Sequence, residues 1–141
     1  MLVCDTSGLL AYFDATERRH AAVSVAVAAE AGPFVVSPYV LAELDYLMAT
    51  RHGPRAALSA LDELCGGAWE LPPFSVADVR GAQRFMARYE DQGVGLADAS
   101  LVLLADRYRT NRILTLDHRH FRVLLSAQGR PFMLLPDLST T

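Results

Sequence analysis

Leu2-Val3-Cys4-Asp5-Thr6-Ser7-Gly8 opens the chain with an apolar triplet, an acid, two hydroxyl residues and a glycine, before the apolar run Leu9–Phe13 begins. An apolar run this short, bounded by polar residues, reads as a buried strand. The polar stretch then offers the oxygen acceptors that start a helix over Leu9–Phe13. The unit is strand, turn, helix, with an acid at the turn. Working outward, the pattern repeats. Glu17 to Ala31 is Ala/Val-rich and ends at Gly32-Pro33, a helix with its stop signal. Phe34–Val36 is a brief strand. Ser37-Pro38 places a capping hydroxyl before a proline at the first helical position, and predicts a helix to about His52, where Gly53-Pro54 breaks it. A further helix runs to Cys65.

Ala68–Leu71 resembles a strand closed by Pro72-Pro73, and Ser75 caps a helix through about Asp91. That helix is expected to turn Val76, Val79, Phe85 and Met86 to the core and Arg80, Arg84 and Arg88 to solvent. Leu96–Tyr108 is apolar nearly all round, the mark of a central helix. Ile113–Leu116 reads as a buried strand ending at Asp117, and a last strand lies within Phe132–Leu135. Strands alternating with helices give a three-layer α/β/α fold on a mainly parallel sheet. No linker or repeat divides it, so one domain is expected over residues 1–137, with 138–141 as a short tail.

Composition narrows the chemistry. The 141 residues are 52% hydrophobic and 21% charged, enough to bury a core. The formal charge of -3 excludes a simple basic nucleic-acid coat, so any nucleic-acid contact must be local. All 13 basic residues are arginine. Without lysine, P-loop and Schiff-base chemistries are excluded. Cys4 and Cys65 are too few for a disulfide scaffold, form no Cys-x-x-Cys pair, and are expected to be buried small apolar residues. With no long apolar span and an acid at position 5, the chain reads as a soluble, cytoplasmic protein without membrane contact.

Four carboxylates then fall on one edge. In a parallel sheet the strand carboxyl ends and the following helix starts share the side where ligands bind. Asp5 and Asp117 each follow a strand, Glu43 lies in the early turns of the Ser37-Pro38 helix, and Asp98 lies in the first turn of the helix opened by Gly95. Asp98 shares the stripe of Leu101, Val102 and Ala105, and Glu43 borders the arc of Val40, Leu44 and Leu47. Burying a carboxylate without a partner costs several kcal/mol. No arginine is expected at these positions, so a divalent cation is the better partner, and hard oxygen donors favour Mg²⁺ or Mn²⁺ over Zn²⁺. Asp45, on the other flank of the same arc, competes with Glu43.

Four segments carry a resemblance: Leu2-Val3-Cys4-Asp5-Thr6-Ser7, Ser37-Pro38-Tyr39-Val40-Leu41-Ala42-Glu43-Leu44, Leu96-Ala97-Asp98-Ala99-Ser100, and Ile113-Leu114-Thr115-Leu116-Asp117 with Phe121. Together, and in this order from Met1 to about Pro136, they resemble the PIN-domain nucleases. More narrowly they look like the VapC toxins of bacterial toxin-antitoxin systems. The resemblance implies a metal-dependent endoribonuclease, usually a homodimer, kept inactive by a small VapB-type antitoxin that covers the site. It implies that Asp5, Glu43, Asp98 and Asp117 hold the metal directly or through water, with Thr6 and Thr115 near it. Some relatives carry an extra acid where Thr115 stands.

Alternative readings remain beside this one. Singly, Asp5 and Asp117 have ordinary roles as caps and Asp98 a favourable place at a helix N-terminus. A catalytically inactive PIN-like module that binds RNA or protein would be expected to have lost one or more of the acids. A phosphatase with Asp5 as nucleophile would want an acid where Ser7 stands, and a lysine. Among basic groups, the Arg80, Arg84, Arg88 stripe reads as a solvated face. The segment Arg107 to Arg122 is the better candidate for phosphate contacts, Arg112 and Arg119 above all. His118 and His120 would suit a metal-free acid and base only if they met, which an extended segment does not allow. Trp69, Tyr39 and Tyr46 read as core or dimer packing.

Overall fold

The apolar triplet Leu2–Cys4 is β1, wholly buried, and it lies at the centre of a five-stranded sheet. The computed structural model describes residues 1–139; Thr140 and Thr141, the end of the expected tail, lie outside the described residues. In chain order the elements are β1, α1 (Thr6–Phe13), α2 (His20–Ala29), β2 (Phe34–Val36), α3 (Pro38–His52), α4 (Pro54–Leu64), β3 (Trp69–Glu70) and α5 (Val76–Arg88). A 3₁₀ turn over Glu90–Gln92 follows, then α6 (Leu96–Arg107), β4 (Arg112–Leu114), α7 (His118–Phe121) and β5 (Met133–Leu135). The strand order is β3-β2-β1-β4-β5, and every pairing is parallel. β1 hands the chain to β2 on one side, and β4 arrives on the other, so a topological switch falls between β1 and β4.

The helices pack in two groups: α3 lies along α4 and against α1, which also meets α2, while α5 lies along α6. α6 is the central helix expected from its composition, with Ala99, Ser100, Leu101, Val102, Leu104 and Ala105 buried. α3 starts as its sequence foretells, with Ser37 Oγ accepting from the Tyr39 N–H at 3.2 Å and Pro38 at the first position. The same buried Ser37 hydroxyl meets Ser100 Oγ of α6 at 2.6 Å, tying the two helix starts together. Gly8 permits another close approach: a Cβ there would lie 2.8 Å from the Leu114 carbonyl oxygen, so α1 leaves β1 hard against the end of β4.

The structure corrects several expected elements. α2 starts at His20 and not Glu17, because Glu17 N–H donates to the Asp14 carbonyl in a turn. β4 covers Arg112–Leu114 and not Ile113–Leu116. Its pairing with β1 ends at Cys4 opposite Leu114, and the Leu116 N–H turns away to the Ser7 hydroxyl. Val76 and Val79 are exposed, since α5 packs on α6 through Ala82 and Phe85 further along. Cys4 is buried, whereas Cys65, just past the end of α4, is exposed. Trp69 joins the core beside Tyr12 and Phe34, but Tyr46 is exposed.

Asp14 ends α1 and is nearly buried. Its Oδ1 accepts from the Thr16 hydroxyl at 2.6 Å and the Thr16 N–H at 3.0 Å, and its Oδ2 meets His52 Nε2 at 2.7 Å at the end of α3. The Thr16 hydroxyl first, and then His52, hold the carboxyl down at about 2, below its ordinary 3.8. A depressed carboxylate contributes stability above its unfolded value that is lost as pH falls through the folded value. Urea unfolding between pH 5 and pH 2 is therefore expected to show a loss, on the order of 2 kcal/mol, that Asp14→Asn lacks. Equal pH slopes for the two proteins would refute this role.

Candidate active site

Asp5 sits at the N-terminal boundary of α1, where β1 ends, and is the one buried member of the four carboxylates. Its side chain does not cap the helix. Instead Oδ2 accepts from Ser7 Oγ at 2.8 Å and from Thr115 Oγ1 at 2.8 Å. Each hydroxyl is itself fixed by a backbone donor: Leu116 N–H gives to Ser7 Oγ at 2.9 Å, and Asp117 N–H gives to Thr115 Oγ1 at 3.0 Å. Having accepted from an amide, each hydroxyl is free to turn its own proton to the carboxylate. Burial pushes the Asp5 carboxyl up, these two hydroxyl bonds pull it down, the charge of Asp98 raises it, and the net direction is upward.

Asp98 lies in the first turn of α6 and is partly exposed, its side chain at 27%. Its Oδ2 accepts weakly from the Gly95 N–H at 3.4 Å and meets His120 Nε2 at 3.2 Å. Asp98 stands at the start of α6 on the same edge of the sheet, where its charge acts on Asp5 and adds to the upward push of burial. Glu43 and Asp117 stand exposed. Asp117 starts α7, with Oδ1 accepting from the His120 N–H at 3.2 Å. The expected places on the buried faces are only partly kept: Asp98 is half-buried beside its stripe, and α3 turns Leu44 and Val40 inward and leaves Glu43 outside.

Among the described residues no three His, Cys, Asp or Glu side chains converge tightly enough to hold an ion by themselves. The donor set nevertheless fits a hard divalent cation. Asp5 is a buried carboxylate with hydroxyl partners and no ion pair among the described residues. Next to it in the chain, Thr6 Oγ1 is buried without a hydrogen-bond partner. Asp98 adds a second negative charge close enough to raise the Asp5 carboxyl. Two like charges at one sheet edge are stabilised by a cation between them.

The expected basic groups divide. Arg119 is exposed and borders a depression beside the acids, with Gln92, Asp117, His120 and Val123. Arg112 stands at the amino end of β4, on the opposite sheet edge, where its guanidinium is engaged by Glu30 and lies 3.0 Å from Met133 Sδ. It is not brought to the site. His118 and His120 do not form a pair: in the helical turn of α7 one meets the Thr115 carbonyl oxygen at 3.1 Å and the other Asp98. Ser7 and His120 are the contacts that sequence reasoning passed over. The signal for Ser7 was its place two residues after Asp5; for His120 it was the acid at 117 starting a new helix.

Comparison with known proteins shows the family and the fold. The PIN domain model matches residues 2–124. Ribonuclease VapC26 of Mycobacterium tuberculosis (strain ATCC 25618 / H37Rv) is 55% identical over 135 residues, covering 96% of this chain and 100% of the relative. Among solved structures, Mycobacterium tuberculosis VapC20, described as a sarcin-ricin loop cleaving toxin, superposes with a TM-score of 0.79 at 19% identity, covering 85% of this chain and 92% of that one. VapBC2 from Rickettsia felis, bound to a DNA fragment from its promoter, matches with a TM-score of 0.66 at 17% identity over 94% of this chain and 96% of the other. A toxin-antitoxin complex from Klebsiella pneumoniae matches at 0.63 and 20% identity, over 88% and 92%. With a parallel sheet of order β3-β2-β1-β4-β5 carrying its acids at the β1/β4 edge, the chain belongs to the PIN-domain family.

Proposed function

We propose that this chain is a Mg²⁺- or Mn²⁺-dependent endoribonuclease, the toxin of a toxin-antitoxin pair, formed as one domain over residues 1–137 and acting in the cytoplasm as a homodimer. The observation that carries the reading is the buried Asp5 carboxylate held at the sheet edge by Ser7 and Thr115, in a chain 55% identical to a protein named ribonuclease. Asp5 and Asp98 would hold the ion, with Glu43 and Asp117 reaching it through water. When bound, the ion supplies positive charge and Lewis acidity against a phosphodiester.

The chain's own groups do the rest. Ser7 and Thr115 hold the Asp5 carboxylate in one orientation, and His120 does the same for Asp98. Asp98 or Glu43 orients the attacking water and takes its proton. Water oxygen bonds to phosphorus, the bond from phosphorus to the 3′ oxygen breaks, and that oxygen gains a proton. Arg119 positions a phosphate without reading sequence. A VapB-type antitoxin is the partner that restrains the enzyme; two of the structural relatives are named as toxin-antitoxin assemblies. Among the described residues no helix is long and apolar enough to cross a membrane.

The test is end chemistry. EDTA is expected to stop cleavage, Mg²⁺ or Mn²⁺ to restore it, and the products to carry 5′-phosphate and 3′-hydroxyl ends. Cyclic phosphate ends that persist in EDTA would refute the carboxylate mechanism and point to the histidines.

A further inference from the structure

Beside the carboxylates lies a depression of about 320 Å³, walled by Gln92, Asp117, Arg119, His120 and Val123. The catalytic reading gives tasks to Asp117, Arg119 and His120 but none to Gln92 or Val123. Its size is at the lower end for a small-molecule site, roughly 300–1,000 Å³, which suits one ring system. Its walls are chemically mixed in a particular way. His120 offers a flat aromatic ring, Arg119 a planar guanidinium, and Val123 an apolar side chain that is 48% exposed. Among the described residues neither the Arg119 guanidinium nor the Gln92 side-chain amide makes a hydrogen bond or ion pair within the fold. That amide carries a donor and an acceptor side by side.

The ring of His120 is held in place. Its Nε2 is taken by Asp98 at 3.2 Å, and it packs nearly perpendicular to the buried Phe121 ring, with centroids 5.4 Å apart at 85°. The position of Gln92 is set by the 3₁₀ turn, which Gly93 closes in the left-handed region at φ 64°. Because Asp117 and His120 belong both to this depression and to the acidic site, a group seated in one is adjacent to a group bound in the other.

Single-stranded RNA is recognised through unstacked bases, which stack on aromatic rings or guanidinium planes and present hydrogen-bonding edges to polar side chains. We propose that this depression is a nucleobase subsite, which seats the base next to the scissile phosphodiester between Arg119, His120 and Val123 and reads its edge with the Gln92 amide. The proposal rests on the ribonuclease reading and adds to it the source of base preference at the cut.

The test uses the full chain with Mg²⁺ and a single-stranded RNA of randomised sequence, and sequences the ends of the products. The parent protein is expected to prefer particular bases beside the cut. Gln92→Ala combined with Val123→Ala is expected to flatten that preference by roughly tenfold or more and to raise KM. Its melting temperature and Mg²⁺-induced shift in melting should stay those of the parent. Arg80→Ala, on the solvated face of α5, serves as a control that keeps the preference. An unchanged preference in the double variant, or a parent with no base preference at all, overturns the subsite while leaving the ribonuclease reading intact. A parent that leaves RNA uncut with Mg²⁺ or Mn²⁺ removes the ribonuclease reading, and the subsite with it.

Discussion

Asp98→Asn is expected to fold as the parent does and to lose RNA cleavage by roughly a thousandfold. The side chain sits in the first turn of α6, partly exposed, so no core packing depends on it. Asparagine keeps an oxygen in place of the carboxylate oxygen that accepts from Gly95 N–H and meets His120. What disappears is the negative charge that acts on Asp5. Stabilising developing charge at a phosphodiester accounts for several kcal/mol in metal-assisted reactions. Since each 1.4 kcal/mol is a factor of ten, a loss of about 4 kcal/mol gives the stated effect. Asp45→Asn, an exposed position two residues past Glu43 on α3, should cleave almost normally. Parent-level cleavage by Asp98→Asn with an unchanged circular dichroism spectrum would exclude Asp98 from the site.

Mg²⁺ is expected to stabilise the parent strongly, and Asp5→Asn to abolish most of that gain. In the fold without metal, Asp5 is buried and repelled by Asp98, which is why its carboxyl is shifted up. A carboxyl with a folded-state value raised above its unfolded value costs stability once pH rises above the unfolded value. Neutralising it therefore leaves stability without metal equal or higher, and one side-chain oxygen remains to accept from Ser7 and Thr115. A ligand that binds only the folded state contributes RT ln(1 + [L]/Kd), about 2.7 kcal/mol at a hundredfold excess. For a chain of this size that is a rise of roughly 8–10 °C in Tm. Thermal unfolding of both proteins in EDTA, and across a Mg²⁺ titration at constant ionic strength, makes the comparison. Identical melting of the two proteins with no response to Mg²⁺ or Mn²⁺ would remove the physical basis for a metal site.

Local signals carried much of this molecule. The strand at Leu2–Cys4, the start of α3 at Ser37-Pro38, the buried length of α6 and the placement of Asp5 and Asp98 at one edge follow from runs, caps and breaks within a few residues. These are properties of neighbouring side chains and backbone groups, which a sequence records directly. Tertiary packing decided which acid is buried, because that depends on what lies across from it: Leu44 takes the inward place on α3, so Glu43 is left outside. Packing also joined Ser7 and Thr115 on a single carboxylate oxygen, although 108 residues separate them in the chain. The same holds for His120 against Asp98, a contact across 22 residues that exists only because α7 starts where β4 leaves the sheet. Arg112 shows the converse. Its basic neighbourhood in sequence suggested the site, but a residue at the amino end of a parallel strand lies on the edge away from the carboxyl ends, and there it pairs with Glu30.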